Sequence, residues 1–207
     1  MNVRLQWDSD FLAGVYFQDR LQFNAYSVSF HLQTRTNDAA SINVAMDRLR
    51  YFLHGSLEHA VFMRCNDAET IERGEMLDIL GMNVVALPEE PVDQIIGMML
   101  YYKINAVMEG RMVLTGIDIN SSMGSEVWYC HDEEDDPGPF VTQGWWHSNA
   151  SAPIMAISDT EDRKTVKVTS TGWHDLDLDW PEQLMPVDQP NTVVYANFAR
   201  DEDNKTR

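Results

Sequence analysis

The chain has 207 residues, 33 acids against 15 basic residues and a formal net charge of −18. That field repels phosphate backbones and anionic headgroups, which disfavours direct binding to nucleic acid or membrane. A hydrophobic fraction of 44% and an aromatic fraction of 10% exclude wholesale disorder.

No stretch approaches the roughly 18 apolar residues of a membrane span. The N-terminus, with Asp8 and no apolar run, does not resemble a signal peptide. Cys65 and Cys130 are the only cysteines, too few for a disulfide framework or a thiolate zinc site. These features predict a cytoplasmic protein, for which the Asn-x-Ser/Thr matches at Asn149 and Asn204 are chance. The charge is uneven: residues 1–130 hold 17 acids and 9 bases, residues 131–207 hold 16 and 6.

In chain order, alternation predicts strands at Val3–Trp7 and Phe23–Thr36. Asn37 or Asp38 then caps a helix over about Asp38–His54, with Ile42, Ala45, Met46, Leu49, Phe52 and Leu53 on one face and Gly55 closing it. Ala60–Arg64 reads as a buried strand. Asp67 caps a helix over Ala68–Leu80 whose apolar face is Ile71, Leu77 and Leu80, and Asn83–Leu87 is the next strand. Pro91 suits the first turn of a helix that runs to Gly110, with Asp93 favourable at its start. Met112–Asn120 and Ser125–His131 form a hairpin, followed by an acidic, Pro- and Gly-containing loop over Asp132–Gly144. Further strands are predicted at Pro153–Ser158, Thr165–Thr171, Trp173–Trp180 and Thr192–Phe198.

This order predicts an α+β fold: a split βαβ, ferredoxin-like core of sheet plus helices over residues 1–131, with both principal helices on one face. Residues 132–207 would be an acidic, β-rich extension or small subdomain, unless the whole is one domain.

Three constellations could carry chemistry. In Cys130-His131-Asp132-Glu133-Glu134-Asp135-Asp136, five consecutive carboxylates attract a hard cation. Neighbours on an extended chain diverge, however, and a solvated loop explains them. Cys130 and His131 likewise diverge and make no thiolate–imidazolium pair; Cys130, alternating with Trp128, is placed in the core. In His174-Asp175-Leu176-Asp177-Leu178-Asp179-Trp180, a strand would put Asp175, Asp177 and Asp179 on one face and Leu176, Leu178 and Trp180 on the other. An EF-hand would need Gly at Trp180 and Glu at Pro186, so an amphipathic strand fits better, with Lys164 and Lys167 opposite its carboxylates. Gly144-Trp145-Trp146-His147 cannot turn both indoles to one side of a strand, so one is either exposed to a partner or clamped on the core.

No phosphate-cradling, dinucleotide or nucleophile-elbow motif occurs. His54 and His59 bracket a helix end and read as caps. The leading expectation is a non-catalytic interaction or assembly protein, of viral or phage structural or accessory type, without a cofactor. It would meet a protein partner or a second copy through Trp145, Trp146, His147, Trp173, Asp175, Asp177 and Asp179. One alternative is a metal-dependent hydrolase holding a divalent cation on His131, Asp132, His174, Asp175 and Asp177. The other is an acidic DNA mimic that inhibits a DNA-binding enzyme.

Overall fold

A computed structural model describes residues 3–152 and 171–184. The strands expected at 153–158, 165–171 and 192–198 lie wholly or almost wholly outside these residues, as do Lys164 and Lys167.

The fold is built on one long hairpin. Strand β1 (Arg4–Phe17) pairs antiparallel with β2 (Arg20–Thr34) over its whole length. Gln18 and Asp19 form the two-residue connection, both at positive φ. That geometry matches the twist of the two strands and suits a short polar side chain such as Asp. The sequence signal for β1 ended at Trp7, because Asp8-Ser9-Asp10 interrupts the alternation. The structure carries the strand ten residues further, since the Ser29 hydroxyl donates to Asp8 Oδ1 at 2.6 Å across the ladder. That bond, the largest contribution, holds the Asp8 carboxyl below its ordinary value. Beyond the interruption Phe11, Ala13 and Val15 face the same interior as Tyr26, Val28, Phe30 and Leu32.

Helix α1 (Ala39–Tyr51) starts where expected, with Asp38 accepting from the backbone N–H groups of Ala40 and Ser41. Gly55 does not close it. The chain runs on through a π-helical turn, Phe52–Leu57, which turns Phe52, Leu53 and Leu57 into the core. A Cβ at Gly55 would stand 2.8 Å from the Tyr51 ring, so glycine there permits close packing rather than termination. Beyond it the chain turns at His59, in the left-handed region, whose N–H donates to Leu12 O.

Strand β3 (Val61–Arg64) then pairs parallel with β1. Helix α2 (Ala68–Ile79) follows, its Asp67 cap forming a reciprocal box with Thr70. Ile71 is buried and Leu77 half-buried, but Leu80 lies in the open. Strand β4 (Val84–Leu87) pairs parallel with β3. Helix α3 (Asp93–Met108) crosses back to β5 (Met112–Ser121), and a turn leads to the short β6 (Tyr129–Asp132). The sheet order is β4-β3-β1-β2-β5-β6.

The α+β class is as expected, and the ferredoxin-like topology is not. The second strand returns beside the first as a hairpin, so α1 connects antiparallel strands rather than the two parallel strands of a split unit. Helices α1 and α3 do pack together on one face, over the main core, while α2 contacts β3 and β4 beside a smaller cluster of Met63, Val84 and Ala86.

Helix α3 approaches β5 closely at Gly97, where a Cβ would lie 2.9 Å from the Ile119 Cγ2 methyl and 3.2 Å from the Tyr129 ring. Both neighbours belong to the sheet and have little room to yield. Gly97→Val should therefore lower unfolding stability by about 1–3 kcal/mol despite its better helix propensity, as read from a urea midpoint.

Two later segments lie against the helix pair. Residues 138–147 contribute single helical turns at Gly138–Val141 and Trp145–His147, which bring Phe140, Trp145 and Trp146 into the main core. Residues 171–184 are not the expected strand. They form one helical turn at His174–Leu176, place Asp177 in the left-handed region, and end in α4 (Pro181–Leu184). Local hydrogen bonds take the place of a ladder here: Asp175 Oδ2 accepts from Gly172 N, and the Leu178 backbone N–H donates to the Trp173 carbonyl.

Each segment is held by a buried cation from a core helix. Lys103 of α3 donates to Ser148 O at 2.7 Å and Trp145 O at 3.4 Å. Arg48 of α1 donates to Leu178 O and Glu109 Oε1, and its guanidinium stacks 4.0 Å from the Trp180 ring centroid and 4.7 Å from that of Trp173.

Candidate functional site

An apolar hollow of about 440 Å3 opens where the N-terminus of α3 meets the β5–β6 turn. Its floor is Val15 and Phe17 of β1 with Asn24 of β2. Its walls are Pro91, Val92, Asp93 and Gln94, and Met123, Gly124, Val127 and Tyr129 close the far side. Pro91 presets the backbone for helix entry, so Asp93 falls in the first turn, where the helix dipole favours a negative charge.

Among the described residues Asp93 is the one carboxylate in this lining. Ser121, at the end of β5, donates its hydroxyl to Asp93 Oδ2 at 2.8 Å and accepts from Gly124 N. Gly124 is required by this contact, since a Cβ there would stand 2.4 Å from Asp93 Oδ2. The turn is tied down from beneath by the buried Asn24, whose Oδ1 accepts from Ser122 Oγ at 2.6 Å and from Met123 N. Burial raises the Asp93 carboxyl above its ordinary value, outweighing the opposing bond from Ser121. Burial likewise raises the phenols of Tyr129, in the wall, and of Tyr26, beneath the floor. One oxygen of Asp93 is thus oriented by the fold, and the group holds a proton more readily than a surface carboxylate.

A second hollow of about 320 Å3 lies on the face of the sheet opposite α1 and α3, around Gly116. The register puts Asp8, Ser29, Asp118 and Cys130 in one row across four strands. Asp118 bonds to His31 Nε2 at 2.8 Å and accepts from the Cys130 thiol; although burial opposes them, these bonds hold its carboxyl low. Cys130 is exposed, not in the core as its alternation with Trp128 suggested, because β6 turns His131 inward instead. The bond to Asp118 raises the thiol, which is the opposite of nucleophile activation.

The residues singled out by sequence do not come together. Trp145 and Trp146 are both buried, at 4% and 8% exposure, and their indole N–H groups donate to Ala86 O and to Phe140 O and Thr142 O. They clamp a loop onto the core. His147 bonds to Phe140 O. Trp173 packs on Arg48 and donates to Asn149 O. Asp175, Asp177 and Asp179 form no ladder on one face, since Asp177 reverses the chain and Asp179 pairs with His174. That pairing raises the His174 imidazole.

The acids at Asp132–Asp136 satisfy their own turn: Asp135 Oδ2 accepts from Asp132 N, Asp132 Oδ1 from Glu134 N, and Asp136 Oδ1 from Gly138 N. Of the residues in the metal alternative, His131 is buried among Tyr101, Tyr102 and Tyr129, where burial lowers its imidazole, while His174 is exposed. Among the described residues no group of three or more His, Cys, Asp or Glu is placed to hold a metal ion. Sequence reading passed over Asp93 except as a helix-start residue. The missed signal was the Pro91-Val-Asp93 entry, together with a Ser-Ser-Met-Gly turn able to fold back on it.

No protein-family model matches the chain, and no curated protein does. Solved structures do. An uncharacterized protein from Wolinella succinogenes aligns at a TM-score of 0.45 and 14% identity, over 64% of this chain and 99% of its own. The 6-pyruvoyltetrahydropterin synthase of Plasmodium vivax aligns at 0.42 and 12%, over 63% and 97%. That of Plasmodium falciparum aligns at 0.39 and 12%, over 63% and 96%. The synthases among these matches are enzymes, with a catalytic residue named in two of them, and the expectation of a non-catalytic interaction or assembly protein is withdrawn against them. At such identities and scores, the activity of those proteins is not carried to this chain. No described helix is long and apolar enough to cross a membrane.

Proposed function

We propose that the chain binds a small organic molecule in the hollow at the head of α3, with Asp93 as its polar anchor and proton acceptor. One observation carries this reading: a largely apolar cavity of about 440 Å3 contains a single half-buried carboxylate of raised proton affinity. That volume falls in the range of about 300–1,000 Å3 typical of ligand sites, which pair apolar walls with a few oriented polar groups. A carboxylate desolvated in such a place accepts a hydrogen bond from a ligand N–H or O–H more strongly than one in water, and it can take that proton. The bond from Ser121 leaves Oδ1 for the ligand.

Residence in the cytoplasm belongs to the same reading, supported by two free cysteines.

Two substitutions test it. Asp93→Asn preserves shape and removes the acceptor charge, and should weaken a heteroaromatic amine found by thermal-shift screening by about tenfold or more. Val127→Trp, at an exposed wall position, should block the cavity with little effect on folding. A ligand whose affinity survives both changes binds elsewhere, and the proposal fails.

A further inference from the structure

The charge class of the ligand can be read from what surrounds Asp93. We infer that the hollow at the head of α3 takes an uncharged or cationic molecule carrying an N–H donor, and rejects its phosphorylated counterpart. This deepens the proposal above and rests on it.

A site for a phosphorylated ligand needs cationic side chains, a glycine-rich nest or free helix N–H groups to meet the phosphate. Among the described residues the lining contains no lysine, arginine or histidine. Nine cations occur among the described residues, and most are already occupied. Arg48 and Lys103 are sequestered in the core under the two later segments. Arg64 is paired with Asp67 and Glu90, Arg73 with Asp19 and Glu69, Arg50 with Asp47, and Arg111 contacts Glu182 and Trp180. Among the described cations the one nearest to the hollow in the sheet register is Arg20, exposed at the head of β2 and paired with Phe17 of the floor.

The free backbone N–H groups of α3 offer no substitute. Val92 caps the helix without a side-chain bond, but the carboxylate of Asp93 stands in that first turn and occupies the positive end of the dipole. A phosphate placed there would meet a carboxylate with no intervening cation, inside a molecule of net charge −18. Like charges in a partly desolvated site repel far more strongly than in bulk water. A protonated amine gains from the same arrangement. The walls fit the remainder of such a ligand: Phe17, Val92, Met123, Val127 and Tyr129 offer apolar and aromatic surface to a flat ring.

The experiment uses the full chain and matched probes: adenosine, guanosine and cytidine, each beside its 5′-monophosphate, with tryptamine and histamine as cationic amines. Binding is measured by thermal shift and calorimetry at low and at 0.5 M salt. We expect at least one unphosphorylated probe to bind, its monophosphate to bind about tenfold more weakly or worse at low salt, and the gap to narrow as salt screens the repulsion. Arg20→Ala should leave that preference unchanged. A monophosphate that binds as tightly as its nucleoside, or tighter, with sensitivity to Asp93→Asn, overturns the charge assignment while leaving the pocket reading intact. Silence from every probe overturns the pocket reading and the inference with it.

Discussion

Between about pH 7 and pH 9 the protein should become more stable as pH rises, and Lys103→Met should abolish that rise. Lys103 is wholly buried on α3, against the rings of Phe52 and Trp145, and among the described residues no carboxylate pairs with it. Burial pushes its ammonium down to about 7 from the ordinary 10.5. The unfolded chain then holds this proton across a window in which the folded chain has released it, so deprotonation favours the folded state throughout that window. The slope for one proton is about 1.4 kcal/mol per pH unit. A neutral amine still has two N–H groups, enough for the carbonyls of Trp145 and Ser148, so releasing the proton need not release the loop. Urea midpoints of wild type and variant at pH 7, 8 and 9 give the comparison. Parallel curves would mean that the two carbonyls keep Lys103 charged. At pH 7 the methionine variant leaves the Ser148 carbonyl without its donor but also removes the cost of burying an ammonium. The pH slope, not the stability at one pH, therefore carries the comparison.

Arg48→Leu should be the most damaging single change, at about 3–5 kcal/mol. Four groups lose a contact together: the Glu109 carboxylate, the Leu178 carbonyl, and the indole faces of Trp173 and Trp180. Arg48→Lys keeps the charge but not the planar fork that reaches a carbonyl and a carboxylate while stacking between two rings, so it should fall between leucine and wild type. Because residues 171–184 are held chiefly by this cage, protease cleavage in that segment should accelerate in the leucine variant before global unfolding. Unchanged cleavage, with a stability loss under about 1 kcal/mol, would show that the cage contributes nothing to docking.

These two cations also show where sequence reading stopped. The helical period by itself puts Lys103 on the inward face with Met99, Leu100 and Val107, but nothing local says that it meets carbonyls 42 and 45 residues further on. Arg48 lies in a helix whose cap and apolar face were legible from Asp38, Ala45 and Leu49. Its partner Leu178 lies 130 residues away. On the premise of an extended strand the tandem indoles take opposite sides, with one exposed to a partner or clamped on the core. A single helical turn removes that premise, since it lets Trp145 and Trp146 both descend into the core. The aspartates of 175–179 misled for the same reason: period-two spacing is compatible with a strand, but Asp and His side chains can also satisfy a local turn.

What the sequence determined by itself was local. Caps at Asp38 and Asp67, the helix entry at Pro91, alternation in β2 and β5, and the acidic charge all follow from side-chain chemistry within a few residues. They were enough for the α+β class and for most element positions. Tertiary structure decided the rest. It extended β1 past three polar residues because β2 supplies their partners, set the order β4-β3-β1-β2-β5-β6, and folded the β5–β6 turn over Asp93. The candidate site exists only through that last contact. Asp93 is an ordinary helix-start acid until Ser121, 28 residues later, bonds to it and the apolar walls exclude water, and no periodicity encodes a meeting at that distance.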